Sequence, residues 1–123
     1  MDDEARNSPE LTTLERAVLV AALGSGTKHA VTLNAQVNEA KAVVRTPSGV
    51  GFVTKLEVPE KFGLPDPEES DSLPLVVGRH PELPSGAEFV LQIKNGRLNS
   101  IEAFCFEGMW PRDESLFTFE VGS

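Results

Sequence analysis

Glu88 and Glu102 flank the strongest turn signal in the chain, Asn95-Gly96, and are the acids whose spacing bears most directly on chemistry. If the loop holds three residues, from Lys94 to a left-handed Gly96, the two glutamates stand opposite each other on one face of a hairpin. Like charges at that separation raise one another's proton affinity, and paired carboxylates can move protons or hold a cation. The plainer expectation is two solvated glutamates that pair with Lys55 or Arg97. The two histidines, His29 and His80, fall on a helix and in a proline-rich loop, so a zinc site would need them to converge with Cys105 or with acids. Cys105, the single cysteine, sits between Phe104 and Phe106 on an expected core face, where a thiol packs as a small hydrophobe and its thiolate is disfavoured. The acidic stretch at 60–71 lacks the ligand spacing and closing acid of a calcium loop. Gly24-Ser25-Gly26 follows a helix and lacks the glycine and lysine of a phosphate loop. No catalytic, cofactor-binding or metal-binding residue is therefore assigned, and the chain reads as a non-enzyme.

The elements that must position these groups follow from periodicity. Ser8 can cap a helix with Pro9 in its first position and Gly24 as a left-handed stop, and Leu11, Leu14, Val18 and Ala21 recur at helical spacing between them. Thr27 can cap a second helix that puts Ala30, Leu33, Val37 and Ala40 on one face and turns Lys28, Thr32, Gln36 and Glu39 to water. The period then falls to two, with strands expected at 42–46 and 50–58 about Pro47-Ser48-Gly49. In the second of these, Phe52, Thr54, Leu56 and Val58 share a face with Val50, and Gly51 beside Phe52 suggests a close backbone approach. Residues 59–72 read as an acidic loop, Leu75-Val76-Val77 as a short strand, and 80–86 as another loop. Strands at 87–94 and 97–106 follow, and the chain ends in a strand at 116–121. The three-residue loop sets Ala87, Phe89, Leu91 and Ile93 with Ile101, Ala103 and Cys105 on the core face. It leaves Glu88, Val90, Gln92, Leu98, Ser100, Glu102, Phe104 and Phe106 on the other. Trp110 before Pro111 is either an aromatic anchor for a partner or a plug at the sheet end.

The expected class is α+β: a helical hairpin on one face of an antiparallel sheet of five or six strands, at 8–123, after a disordered tail at 1–7. A chain of 123 residues with 40% hydrophobic and 24% charged residues can bury one core. Its formal charge of −8, with no basic cluster set against it, disfavours nucleic acid and anionic membrane. No apolar run is long enough to span a bilayer, the N-terminus is acidic, and a lone cysteine suits a reducing compartment, so a cytoplasmic protein is expected.

The spacing of Gly49-Val50-Gly51-Phe52, Val58-Pro59, Gly86-Ala87-Glu88-Phe89-Val90-Leu91, Gly96-Arg97-Leu98, Ile101-Glu102-Ala103-Phe104 and Trp110-Pro111 resembles a family of small uncharacterised bacterial proteins, over roughly 11–121. The resemblance implies a bacterial, cytosolic protein and carries no catalytic residue. The residues themselves lead to an interaction protein that uses Val90, Leu98, Phe104 and Phe106, with Trp110 nearby, for self-association as a homodimer or for a protein partner. A narrower form is an immunity- or antitoxin-like protein, whose acidity would steer in a basic toxin. The alternative is a small-ligand-binding protein or minor enzyme with a pocket at the helix–sheet junction and Glu88, Glu102 or Arg97 as polar contacts.

Overall fold

A computed structural model describes residues 10–24, 30–63 and 73–121. The expected tail at 1–7, the Ser8-Pro9 helix start, the Thr27 cap, His29 and the acidic run at 64–71 lie outside those residues. Among the described residues two α-helices, α1 (Thr13–Leu23) and α2 (Ala30–Glu39), precede six strands: β1 (Lys41–Pro47), β2 (Gly51–Glu57), β3 (Val76–His80), β4 (Leu83–Lys94), β5 (Arg97–Cys105) and β6 (Thr118–Val121). Every pairing is antiparallel, and the order across the sheet is β1-β2-β5-β4-β3-β6. Both helices pack on one face, so the architecture is the α+β class expected.

Helix α1 begins at Thr13, and residues 10–12, which a helix running from Ser8 to Gly24 would include, are not helical. Thr12-Thr13-Leu14-Glu15 forms a capping box: the Thr12 hydroxyl accepts from the Glu15 amide at 3.1 Å, and the Glu15 carboxylate accepts from the Thr12 amide at 2.8 Å. Gly24 closes the helix in a right-handed conformation, φ −80°, and not the left-handed one expected. Leu14, Val18, Leu19, Ala22 and Leu23 turn to the sheet. In α2 the inward set is Leu33 and Val37, followed by Ala40 just past the helix end and joined by Gln36, which was expected to face water and is fully buried.

Two polar networks fix the helices on the sheet. Glu15, only 1% exposed, receives Arg45 from β1 in a bidentate pair at 2.7 and 2.9 Å and the Thr54 hydroxyl from β2 at 2.6 Å. Because α1 also reaches β3 and β6, it crosses the strands. Burial works to raise the pKa of Glu15, but the hydrogen bonds from Arg45, Thr54 and the Thr12 amide outweigh it and hold the carboxyl below the ordinary glutamate value. In the second network the Gln36 side chain donates to the carbonyls of Phe62 and Gly96 at 2.9 and 3.0 Å and accepts the Leu98 amide at 2.8 Å. One amide thus ties α2 to the tip of the β4–β5 hairpin.

Residues 80–86, expected as a loop, are a hairpin instead. His80 pairs with Leu83 across Pro81-Glu82, and Gly86, at φ +70°, absorbs the irregularity in β4. The expected close approach at Gly51 is present: a Cβ there would meet the Ala103 carbonyl oxygen at 1.8 Å. Val50, expected on the inward face, is 44% exposed.

A carboxyl whose pKa falls on folding contributes stability that is complete above its unfolded value, about 4.3, and is lost as the pH drops through the folded value. Arg45→Met leaves the Glu15 charge buried without its partner. It is expected to destabilise by about 3–5 kcal/mol at pH 7, with the deficit shrinking as acid neutralises Glu15, as followed by urea unfolding across pH. Gln36→Leu is expected to remove about 1–3 kcal/mol for each buried group left unpaired, and the Leu98 amide should then exchange faster with solvent.

Candidate functional site

The geometry of the outer sheet face follows from the β4–β5 register. Asn95 and Gly96 both have positive φ, 54° and 75°, so the turn is a two-residue one with Lys94 opposite Arg97 and Ile93 opposite Leu98. The register then slips: Gln92 faces Ser100, and Asn99 is the extra residue of a bulge in β5. From there on Leu91 faces Ile101, Phe89 faces Ala103 and Ala87 faces Cys105, so the expected inward grouping is kept along most of the hairpin although the expected three-residue loop is absent.

The observed register corrects three candidate residues. Leu98, expected on the outer face, lies inward of the bulge and is 2% exposed in the core. Glu88 faces Phe104, and Glu102 faces Val90, so the two acids are not opposite each other. They are diagonal neighbours, a relation that sets side chains about 7–8 Å apart. Neither has an ion-pair partner among the described residues. The Arg97 guanidinium donates to the Val58 carbonyl at 2.8 Å, away from both acids.

The outer face is therefore a set of rows across the strands. One runs Gly51, Phe104, Glu88, Val77, Glu120; the next Thr46, Val53, Glu102, Val90; the third Val44, Lys55, Ser100, Gln92. Phe104 stacks edge-to-face on Phe106 at 5.4 Å, and Phe106 is 57% exposed. Val44 and Val53 are exposed, while Val77, Val90, Phe104 and Glu88 are half-buried by their neighbours. Among the described residues no helix lies over this face, since both helices occupy the other. Val44, Val53 and Val77 were not among the sequence candidates. Their signal was present in the alternation of each strand, but seeing them beside Phe104 requires the strand order, which local pattern does not reveal.

Trp110 belongs to the inner face. Its indole packs against Phe52, Phe89 and Phe117 with ring centroids 5.6, 5.8 and 5.2 Å away, and its N–H donates to the Glu114 carboxylate at 2.7 Å. It plugs the sheet end and is not an anchor on the outer face. Gly78 makes room for this cluster, since a Cβ there would lie 2.7 Å from the Phe89 ring. His80 is buried at the same end. The Glu82 amide can only donate, so the His80 Nδ1 accepts from it at 3.0 Å and Nε2 carries the proton toward the Asp113 carbonyl at 2.8 Å. Cys105 is buried on the core face, with its thiol 3.8 Å from the Gly108 carbonyl. Among the described residues no three His, Cys, Asp or Glu side chains group as metal ligands, and no helix is long and apolar enough to cross a membrane.

Set against family models, curated proteins and solved structures, the chain finds no significant match. What the geometry defines is an α+β protein whose antiparallel sheet is helix-covered on one face and bears an apolar surface set with acids on the other.

This placement separates two large apolar side chains, Leu98 and Phe106, by their energetics. Leu98→Ala should cost about 2–5 kcal/mol of stability, whereas Phe106→Ser should stay within about 0.5 kcal/mol of the native chain, both measured by chemical denaturation.

Proposed function

We propose that the protein is a non-catalytic binding protein that docks a protein partner on the outer face of its sheet, through Phe104, Phe106, Val90, Val53, Val77 and Val44. The observation that carries this reading is the pair of exposed Phe106 and half-buried Phe104 among valines on a face over which no described helix packs. Burying a valine or phenylalanine side chain contributes about 1.5–3 kcal/mol, so a few of these residues together reach the scale of an interface centre. The rival assignment, a ligand pocket at the helix–sheet junction, loses its polar contacts: Glu88 and Glu102 lie across the sheet from the helices, and Arg97 is engaged with the Val58 carbonyl. In this reading the protein works in the bacterial cytoplasm, as its resemblance to small bacterial proteins suggests.

A photo-crosslinking amino acid placed at Phe106 or Val53 is expected to give one discrete adduct in the producing cells, identifiable by mass spectrometry. The same group at Val20 or Val31, exposed on the helices, should give none. Adducts of equal yield from both faces, or none from the sheet, would contradict the proposal.

A further inference from the structure

We infer that the partner for this face is a basic, apolar-faced protein segment and not a second copy of the chain. The inference rests on the docking role proposed above and adds the chemistry of the occupant. The apolar residues make the face sticky; the acids among them decide what can sit there. Glu102 stands between Val53 and Val90 in one row, and Glu88 between Phe104 and Val77 in the next. Both are within a residue's reach of the exposed rings, and neither has an ion-pair partner among the described residues. Anything that covers Phe104 therefore also strips water from two unpaired carboxylates, a large penalty unless the incoming surface brings cations.

A second copy brings the wrong charge. A two-fold interface sets a patch against itself, so Glu88, Glu102, Glu57 and Glu120 would be covered by a surface carrying the same four acids. By register Lys41, Lys55, Arg79 and Lys94 share this face, but Lys41 is bonded to Glu10 at 2.9 Å, Arg79 lies 3.6 Å from Glu120, and Lys55 and Lys94 stand outside the rows that hold Glu88 and Glu102. The formal charge of −8 adds long-range repulsion between copies and, by the same field, attraction for a cationic partner. The diagonal relation of Glu88 and Glu102 also sets a spacing. Two lysines or arginines about 7 Å apart, as at alternate positions of an extended strand, match it, with apolar side chains at the next positions on that same strand face left for Phe104 and Val90.

The test uses the intact protein and two synthetic peptides, one whose single extended face carries two lysines followed by valine and phenylalanine, with serine and threonine on the other face, the other with glutamate in place of lysine. Amide chemical shifts give the site and the affinity, and sedimentation gives the oligomeric state. The lysine peptide is expected to shift residues 88–92 and 100–106, and to lose about tenfold in affinity in Glu88→Gln/Glu102→Gln and again at high salt. The glutamate peptide should bind at least about tenfold more weakly. Equal binding of both peptides, abolished by Phe104→Ser, would overturn the charge selection while leaving the docking role standing. So would a dimer dispersed by Phe104→Ser, which would make a second copy the occupant. Shifts from neither peptide, in a protein whose core resonances are intact, overturn the inference, and paired with absent crosslinks from Phe106 and Val53 they remove the docking role too.

Discussion

The bulge at Asn99 decides which side chains this protein keeps and which it offers. Side chains alternate across a sheet with period two, so a single extra residue exchanges the faces of everything on one side of it relative to the other. Here the exchange lets Leu98 join the core near the turn while Ile101, Ala103 and Cys105 also point inward, and it sends Glu102 and Phe104 outward. The bulge frees a backbone donor at Leu98, and the buried Gln36 amide takes it while donating to Gly96 and Phe62. A buried polar group is stabilising only when its partners are present. The helix therefore reads the hairpin's register: in another phasing Gln36 would be left with unpaired atoms in the core.

The Glu15 network performs the matching task at the other end of the helical layer. It sets α1 across β1 and β2 through charge-assisted bonds that leave the carboxylate fully engaged, and the aromatic cluster of Phe52, Phe89, Trp110, Phe117 and Phe119 closes the remaining sheet end. With both polar networks and the large rings committed to one face, the opposite face holds only what its own strands supply. That division is why the fold has a core side rich in Leu, Val and Phe and an outer side where valines and two phenylalanines are interleaved with Glu88 and Glu102, neither of which has an ion-pair partner among the described residues. The outer side is a surface that a neutral or acidic neighbour would cover poorly.

Much of this was legible in the residues. The change from helical spacing to alternation near Ala42 marks the helix-to-sheet boundary, Asn95-Gly96 marks the central hairpin, and Cys105 beside inward-facing Ala103 reads as core. The losses have physical causes. The capping box at Thr12 and Glu15 competed with a Ser-Pro start signal that looks as good in isolation, and Glu15 itself reads as a surface acid until Arg45 and Thr54, distant in sequence, close on it. Gln36 reads as solvated because its partners lie on a loop and a hairpin tip. The bulge at Asn99 has no sequence mark of its own, so Leu98 was placed outside and Glu88 opposite Glu102. His80-Pro81 reads as loop because proline suggests a break, yet a proline within a two-residue hairpin turn disturbs no ladder bond.

Docking on the helix-free face depends on aromatic side chains left open there. Fluorine NMR of the protein labelled with fluorophenylalanine, with a soluble gadolinium chelate as the relaxation agent, tests that exposure directly. The account predicts strong broadening for Phe106 and partial broadening for Phe104, with Phe89 and Phe117 untouched. Phe104 and Phe106 protected as fully as Phe89 would mean that the face is sealed within the protein itself, and would contradict the account.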